Sequence, residues 1–204
     1  LQAAREANVH IPTLCDHPAL KPFGGCRLCL VEVEGMRTLQ PSCTLPVSDK
    51  MNIQTTTDKI KAARKFVLTL IFSDRNHFCP YCQVSGGDCE LQNSALGEGM
   101  SHWPFQPNWQ SYPVDASHQY MVMDHNRCIL CRRCVRACEE VQGTFALTIA
   151  GRGFGSKVAA GQDQPFFESD CVSCGACVQT CPTQALIEKG RFEGGYQRAI
   201  ATQT

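Results

Sequence analysis

The 204-residue sequence predicts an α+β protein assembled from three small units. Its fifteen cysteines fall into four blocks, and two of these blocks repeat the same spacing. The alternation of apolar and charged residues from Val31 to Glu34 predicts a strand, whereas the apolar spacing that follows Asp58 predicts a helix. Strand and helix patterns thus lie between the cysteine blocks, which indicates small α+β units built around the cysteines.

The cysteines predict metal binding and not a disulfide framework. Residues 1–6 have the pattern of an amphipathic helix instead of a signal peptide, and no apolar run is long enough to span a bilayer. We therefore expect a cytoplasmic protein, in which thiols stay reduced. The odd number of cysteines and the repeated Cys-x-x-Cys pairs are also more typical of metal ligands than of disulfides.

The third and fourth blocks share the spacing C-x2-C-x2-C-x3-C, which is the most specific signal in the sequence. This is the spacing of two-cluster ferredoxins, in which three cysteines hold one [4Fe–4S] cluster and the fourth, which we expect to open a helix, binds the other. The first expected ligand set is Cys128, Cys131, Cys134 and Cys181. The second expected set is Cys171, Cys174, Cys177 and Cys138. Two zinc knuckles are the alternative, although zinc-binding pairs are usually separated by a longer loop.

The first block predicts a [2Fe–2S] cluster. Its four cysteines, spaced x10, x2 and x13, are Cys15, Cys26, Cys29 and Cys43. Gly24 and Gly25 precede the close pair and allow the backbone to wrap tightly around a small inorganic core. A zinc site with four thiolates remains the alternative for this block.

The second block has three cysteines, Cys79, Cys82 and Cys89, and needs a fourth ligand. All other cysteines are already assigned, and His77 is the nearest imidazole, with His102 on the far side. Because a neutral imidazole can replace a thiolate on iron, we predict a [4Fe–4S] cluster held by His77 and the three cysteines. Two alternatives stay open: water or another group completes the cluster, or the four residues bind zinc.

The order of the blocks resembles the iron–sulfur portion shared by the large peripheral subunit of respiratory complex I, iron-only hydrogenases and NAD-linked formate dehydrogenases. It is most similar to the iron–sulfur diaphorase subunit of NAD-reducing (bidirectional) nickel–iron hydrogenases. The stretches that carry the resemblance cover most of the chain and include HIPTLC, GGCRLCLVEVEG, RNHFCPYC, DHNRCILCRRCVRAC and CVSCGACVQTCPTQALIEKG. In complex I the cluster histidine precedes its first cysteine by four positions, where this sequence has Arg75, so RNHFC resembles the hydrogenase and formate dehydrogenase branch.

The resemblance implies three domains and a tail. They are a β-grasp [2Fe–2S] ferredoxin domain (1–57), a [4Fe–4S] linker domain with one histidine and three cysteine ligands plus a connector (58–119), a bacterial-type two-cluster [4Fe–4S] ferredoxin domain (120–190) and the tail (191–204). Family members begin with a β-hairpin before the first helix, so we expect that an N-terminal hairpin is missing from this sequence.

Within these domains the sequence predicts several elements. They are helices over 1–8 and 58–73, strands near 30–34, 38–40 and 51–55, and a connector with little regular structure over 93–118. Asp58 is the expected N-cap of the second helix. In the connector, Trp103, Phe105 and Trp109 are expected to cover a cluster or a partner surface.

The expected function is electron transfer. The sequence contains no dinucleotide fingerprint, and every cysteine is assigned to one [2Fe–2S] or three [4Fe–4S] clusters, so we expect no catalytic residue. Arginines around the third block should offset cluster charge and tune cluster potentials; they are Arg127, Arg132, Arg133 and Arg136.

The resemblance implies two partners, a flavin- and NAD(P)-binding subunit and a nickel–iron hydrogenase module. The same relay in a molybdenum or tungsten formate dehydrogenase is the alternative, and a zinc-binding structural or regulatory module is a third. Basic and acidic residues balance at 19 each, so we expect no nucleic-acid binding. Because no apolar run is long enough to span a bilayer, we also expect no direct membrane insertion.

Overall fold

A three-stranded antiparallel sheet organises the first part of the chain in the computed structural model, which describes residues 1–82, 84, 89–105 and 110–194. The elements here are α1 (Gln2–Glu6), β1 (Leu30–Val33), β2 (Gln40–Pro41) and β3 (Ile53–Gln54). Strand β1 lies between the other two and turns Val31 and Val33 into a small core with Ile11, Cys29 and Cys43. Because two of the expected ligands belong to this core, the fold of the unit and its candidate metal centre depend on each other.

The long helix α2 (Asp58–Asp74) confirms the helical periodicity of the sequence, but its predicted cap is wrong. Thr57, not Asp58, is the N-cap: its Oγ1 accepts a hydrogen bond from the backbone N–H of Ile60 at 3.2 Å. The same hydroxyl donates to Glu32 at 2.7 Å, on strand β1. The threonine therefore begins the helix and also fixes it to the sheet.

The buried face of α2 also differs from the predicted one. The apolar spacing that predicts this helix runs through Ile60, Val67 and Leu70, yet Leu70 is 48% exposed, whereas Leu68 and Phe72 are buried. Arg64 is buried on the same face because its guanidinium donates to the Leu30 carbonyl at 2.9 Å and forms an ion pair with Glu98. A hydrophobic periodicity does not reveal such an arginine, since its place depends on partners far along the chain.

The middle part of the chain connects α2 to the remaining cysteines. A 3₁₀ turn (Cys79–Tyr81) and helix α3 (Glu90–Gly97) follow α2. The predicted irregular connector thus begins inside a helix, which corrects its first boundary. Trp103 stacks on Phe72 with ring centroids 4.8 Å apart, and Phe105 packs edge-on against the ring of Phe66. The prediction for Trp109 lies outside the described residues.

Two antiparallel sheets and several short helices form the last part of the chain. In chain order the elements are β4 (Val114–Asp115), β5 (Met121–Asp124), α4 (Arg133–Arg136), a π-helical segment (Ala137–Gln142), β6 (Leu147–Ala150), β7 (Lys157–Ala160), α5 (Ala176–Thr180), β8 (Leu186–Glu188) and α6 (Lys189–Gly194). Strand β5 pairs with both β4 and β8, while β6 and β7 form a hairpin between the two cysteine repeats. The mixture of helices and small sheets confirms the predicted α+β class. Among the described residues, no helix has both the length and the apolar character that crossing a bilayer requires.

Candidate metal centres

The four cysteines of the first block lie together as two hydrogen-bonded pairs. The backbone N–H of Cys26 donates to the sulfur of Cys15 at 3.3 Å, and a side-chain hydrogen bond joins Cys29 to Cys43. In each pair a side-chain hydrogen bond between the two sulfur groups lowers the pKa of one thiol, Cys26 or Cys29, and raises that of its partner. Gly24, with φ +70°, bends the intervening loop into a conformation that favours glycine. Metal-binding thiols must lose their protons, and half of this set is already disposed to do so.

All four expected ligands of the second block line one cavity of about 430 Å³. They are His77, Cys79, Cys82 and Cys89. His77 is buried, and its Nε2 atom has no hydrogen-bond partner in the described part of the chain. Burial, reinforced by the charge of Arg75, lowers the pKa of His77 to about 4. The imidazole is therefore neutral near pH 7, which is the form that binds metals.

The third and fourth blocks exchange their last cysteines in space. One cavity is lined by Cys128, Cys131, Cys134 and Cys181. A second cavity is lined by Cys138, Cys171, Cys174 and Cys177. These are the two sets expected from the spacing, and each combines three cysteines of one block with the fourth cysteine of the other.

The two repeated loops have the same backbone conformation. The residue before the second cysteine has a positive φ in both loops, Leu130 at +53° and Ser173 at +58°. Both residues also donate a backbone N–H to the sulfur of the first cysteine of the block, at 3.4 Å. The residue after the second cysteine is left-handed too, Arg132 at +62° and Gly175 at +76°. Both loops thus turn N–H groups toward sulfur, as a bound cluster requires.

The position of the fourth cysteine in each repeat corrects the sequence prediction. The prediction placed this cysteine at the start of a helix. Instead, Cys138 lies inside the π-helical segment, and Cys181 follows the last residue of α5. The helices begin earlier, before the third cysteine, because the left-handed residue that precedes each of them has already turned the chain.

The buried thiols of these blocks fit a positively charged inorganic core. Burial raises the pKa of Cys128 to about 11 and that of Cys177 to about 12, and it raises the pKa of Cys134 well above the usual value. Thiolates at these positions therefore need a compensating cation, which the iron of a bound cluster would supply. In the described residues no three His, Cys, Asp or Glu side chains converge on one point as ligands of a single ion. A cluster needs a wider arrangement, because each iron takes its own thiolate.

The arginines near the third block have partners that the sequence did not reveal. Arg133 forms a two-pronged ion pair with Glu90, at 2.7 and 2.8 Å. Arg136 donates to the carbonyl groups of Cys15 and Lys21, in the first unit. These arginines therefore connect separate parts of the chain as well as adding positive charge.

Comparisons with known proteins agree with this organisation. Residues 1–58 match the model of a 2Fe-2S iron-sulfur cluster binding domain. Residues 64–103 match the NADH-ubiquinone oxidoreductase-G iron-sulfur binding region. Residues 127–185 match the 4Fe-4S dicluster domain. The 2Fe-2S and 4Fe-4S binding regions expected from the cysteine blocks are confirmed at this level.

Several longer proteins are similar over most of this chain. NADP-reducing hydrogenase subunit HndD of Solidesulfovibrio fructosivorans is 38% identical over 92% of this chain, which spans 33% of that protein. The G 2 subunit of NADH-quinone oxidoreductase from Rhizobium meliloti is 37% identical over 92% of this chain and 22% of its own length. The probable oxidoreductase YjgC of Bacillus subtilis is 34% identical over the whole chain and 21% of its own length. The chain thus spans a fifth to a third of these relatives.

A solved structure matches the fold almost completely. A chain in the crystal structure of NAD⁺-reducing [NiFe]-hydrogenase in the H2-reduced state superposes with a TM-score of 0.88 and 36% sequence identity. The match covers 98% of this chain and 83% of that one.

Proposed function

The chain belongs to the family of iron–sulfur chains that includes the G-type subunits of NADH-quinone oxidoreductase and hydrogenase subunit HndD, and we propose that it is an electron relay. In this proposal it carries electrons between a flavin- and NAD(P)-binding subunit and a nickel–iron hydrogenase module. It performs no substrate chemistry itself, and its place of action is the cytoplasm. The domain boundaries remain those proposed from the sequence, at residues 57, 119 and 190.

The observation that carries the proposal is the gathering of soft donors into four separate sets, each made of cysteines with or without one histidine. We propose that the first set, Cys15, Cys26, Cys29 and Cys43, holds a [2Fe–2S] cluster. We propose that the other three sets each hold a [4Fe–4S] cluster, with the ligands described above. When bound, such clusters accept and release single electrons.

In this relay, the residues of this chain would bind the clusters, shield them from water and set the charge around them. Buried thiols keep water away from the metal, and loop N–H groups point at sulfur, as at Leu130 and Ser173. Burial and hydrogen bonding to sulfur are the main means by which a protein sets cluster potentials. In this proposal, electron transfer between the clusters requires no conformational change of the protein.

The choice of a hydrogenase partner is supported by the solved structure, whose chain comes from an NAD⁺-reducing [NiFe]-hydrogenase and matches along nearly all of this sequence. The name of subunit HndD adds a second hydrogenase, one that reduces NADP. The identity of the nucleotide and of the catalytic module belongs to the proposal.

Two measurements test the proposed function. Protein purified without oxygen should contain iron and sulfide in the amounts of one [2Fe–2S] and three [4Fe–4S] clusters; zinc without sulfide would overturn the proposal. The full-length protein should then be assembled with its partner subunits, and hydrogen should reduce NAD(P)⁺ through the complex. Reduction of NAD(P)⁺ by formate but not by hydrogen would overturn the choice of partner and leave the relay intact.

A further inference from the structure

Arg127 is a buried arginine with unused hydrogen-bond donors. It ends a 3₁₀ turn (His125–Arg127) immediately before Cys128 and is 8% exposed. Its Nε donates to Asp124 at 3.0 Å, and its carbonyl accepts from the hydroxyl of Thr183 at 2.7 Å. The two terminal nitrogens, Nη1 and Nη2, are buried without a hydrogen-bond partner in the described part of the chain. Buried N–H donors without an acceptor are unfavourable even when the guanidinium is paired through Nε, so these two nitrogens call for an acceptor.

The acceptor is indicated by the cavity that Arg127 lines. This cavity is the one that contains His77, Cys79, Cys82 and Cys89, and not the cavity of the neighbouring Cys128. His77 contributes a second unpartnered buried atom, Nε2, to the same space. One cavity is therefore lined by two residues, His77 and Arg127, whose three unsatisfied side-chain nitrogens lack partners among the described residues. A sulfur-rich cluster bound in this cavity would satisfy these nitrogens.

We propose that Nη1 and Nη2 of Arg127 donate hydrogen bonds to sulfur atoms of the cluster held by His77 and its three cysteines, and thereby raise the reduction potential of that cluster. The inference rests on the proposed function, because it needs a cluster in this cavity. Reduction adds one electron to the cluster and breaks no bond to the protein. The added negative charge is stabilised by a nearby cation and by N–H donors. Arg127 thus donates hydrogen bonds to the cluster of the second block, although in the sequence it directly precedes the third block.

Arg75 does not compete for this role. It is also buried and its charge acts on His77, but its Nε and Nη2 already have hydrogen-bond partners. Nε bonds to Asp74, Nη2 donates to the Ser156 carbonyl, and the guanidinium lies 4.1 Å from the ring centroid of Tyr112. Arg75 does not line the cavity, so it supplies charge without hydrogen bonds to its contents.

The test uses Arg127→Lys and Arg127→Gln in the fully loaded protein, titrated with dithionite and followed by EPR. The signal of this cluster is identified as the one that His77→Cys shifts. In both variants its reduction equilibrium constant should fall at least tenfold, which is about 59 mV for a one-electron couple, with the larger fall in Arg127→Gln. The other signals should keep their potentials.

Arg64→Lys is the matched control. Arg64 is as deeply buried as Arg127 and also forms an ion pair, with Glu98 at 3.1 Å, but it does not line the cavity. Its replacement should lower stability and leave the potential of the His77 cluster unchanged. A shift of equal size in this control would mean that the effect of Arg127 is only structural, which would overturn the inference.

A second measurement needs no substitution. Protein labelled with ¹⁵N-arginine is reduced, and pulsed EPR at the signal of the His77 cluster should detect coupling to arginine nitrogen. Absence of this coupling, or unchanged potentials in both Arg127 variants with the cluster present, would overturn the inference and leave the proposed function standing. If the wild-type protein shows no cluster signal that depends on His77, the proposed ligand set itself is wrong.

Discussion

His77 is the one imidazole among the proposed cluster ligands, and its surroundings keep it neutral. It packs edge-on against Phe72 with ring centroids 5.7 Å apart, and Trp103 stacks on that phenylalanine. The apolar wall fixes the ring and lowers the pKa of His77 by removing water from it. A neutral ligand in place of a thiolate leaves one negative charge fewer on the centre, which favours its reduction.

We expect His77→Cys to keep a cluster in this cavity and to shift its reduction potential to a more negative value, because the new thiolate adds a negative charge. His77→Ala should lose or strongly alter the same EPR signal. In both variants the signals of the two-cluster domain should be unchanged. An EPR-monitored redox titration measures both effects.

His102→Ala is the control for these variants, since His102 is exposed and its ring contacts only Ser101 among the described residues. This substitution should leave all four signals at their wild-type potentials. If His77→Ala also leaves them unchanged, His77 is not a ligand.

At the scale of single elements, α2 depends on one side chain for its start. The hydroxyl of Thr57 accepts from Ile60 and donates to Glu32, so it both caps the helix and attaches it to β1. We expect Thr57→Ala to lower the free energy of unfolding by about 1 kcal/mol or somewhat more, the usual cost of losing a cap. Denaturant unfolding followed by circular dichroism measures this change. Thr57→Ser, which keeps the hydroxyl, should recover most of the loss, and an equal loss in both variants would contradict the capping role.

The left-handed turn in each cysteine repeat makes a second prediction at this scale. Gly175 has φ +76° and nothing within 4 Å of an added Cβ, so a Cβ there meets backbone strain but no clash. We expect Gly175→Ala to cost about 1–2 kcal/mol and to reduce occupancy of the cluster that Cys174 serves. Iron content and unfolding measure these losses. Gly97→Ala, in helix α3 and also with open space around it, should be neutral or slightly stabilising.

Local patterns in the sequence predicted the elements better than their partners. The period of α2 predicted its existence, but the burial of Arg64 depends on its hydrogen bond to the Leu30 carbonyl of β1, which no local pattern contains. Cysteine spacing predicts the proposed ligand sets because each set has at least two members three residues apart. The cavity that Arg127 lines could not be predicted, since most of its lining residues lie between Asn76 and Gln92, well before Arg127 in the chain.

Across the whole molecule, the arginines of the third block tie the units to one another. Arg136 donates to the carbonyl of Cys15, a proposed ligand of the first centre, and Arg133 holds Glu90, next to Cys89 of the second. Helix α4 of the third block therefore contacts residues at two other proposed centres. Short and fixed separations between centres are what a relay of electrons needs, and such ion pairs and hydrogen bonds maintain them.

The exchange of cysteines between the two repeats supports the last prediction, because it couples parts of the chain more than thirty residues apart. Cys181 belongs by sequence to the fourth block but lines the cavity of Cys128 and Cys131, while Cys138 lines the cavity of Cys171. We expect Cys181→Ser to remove or alter the cluster of the third block and to leave that of the fourth in place. Cys138→Ser should do the opposite.

The two variants are matched controls for each other, because each removes one thiol from one of two equivalent repeats. To tell the two cluster signals apart, each variant is compared with Cys131→Ser and Cys174→Ser, whose sulfurs lie in the cavity of their own block. Cys181→Ser should reproduce the EPR spectrum of Cys131→Ser, and Cys138→Ser that of Cys174→Ser. The reverse correspondence would mean that each block closes its own centre, and the proposed ligand sets of both clusters would then be wrong.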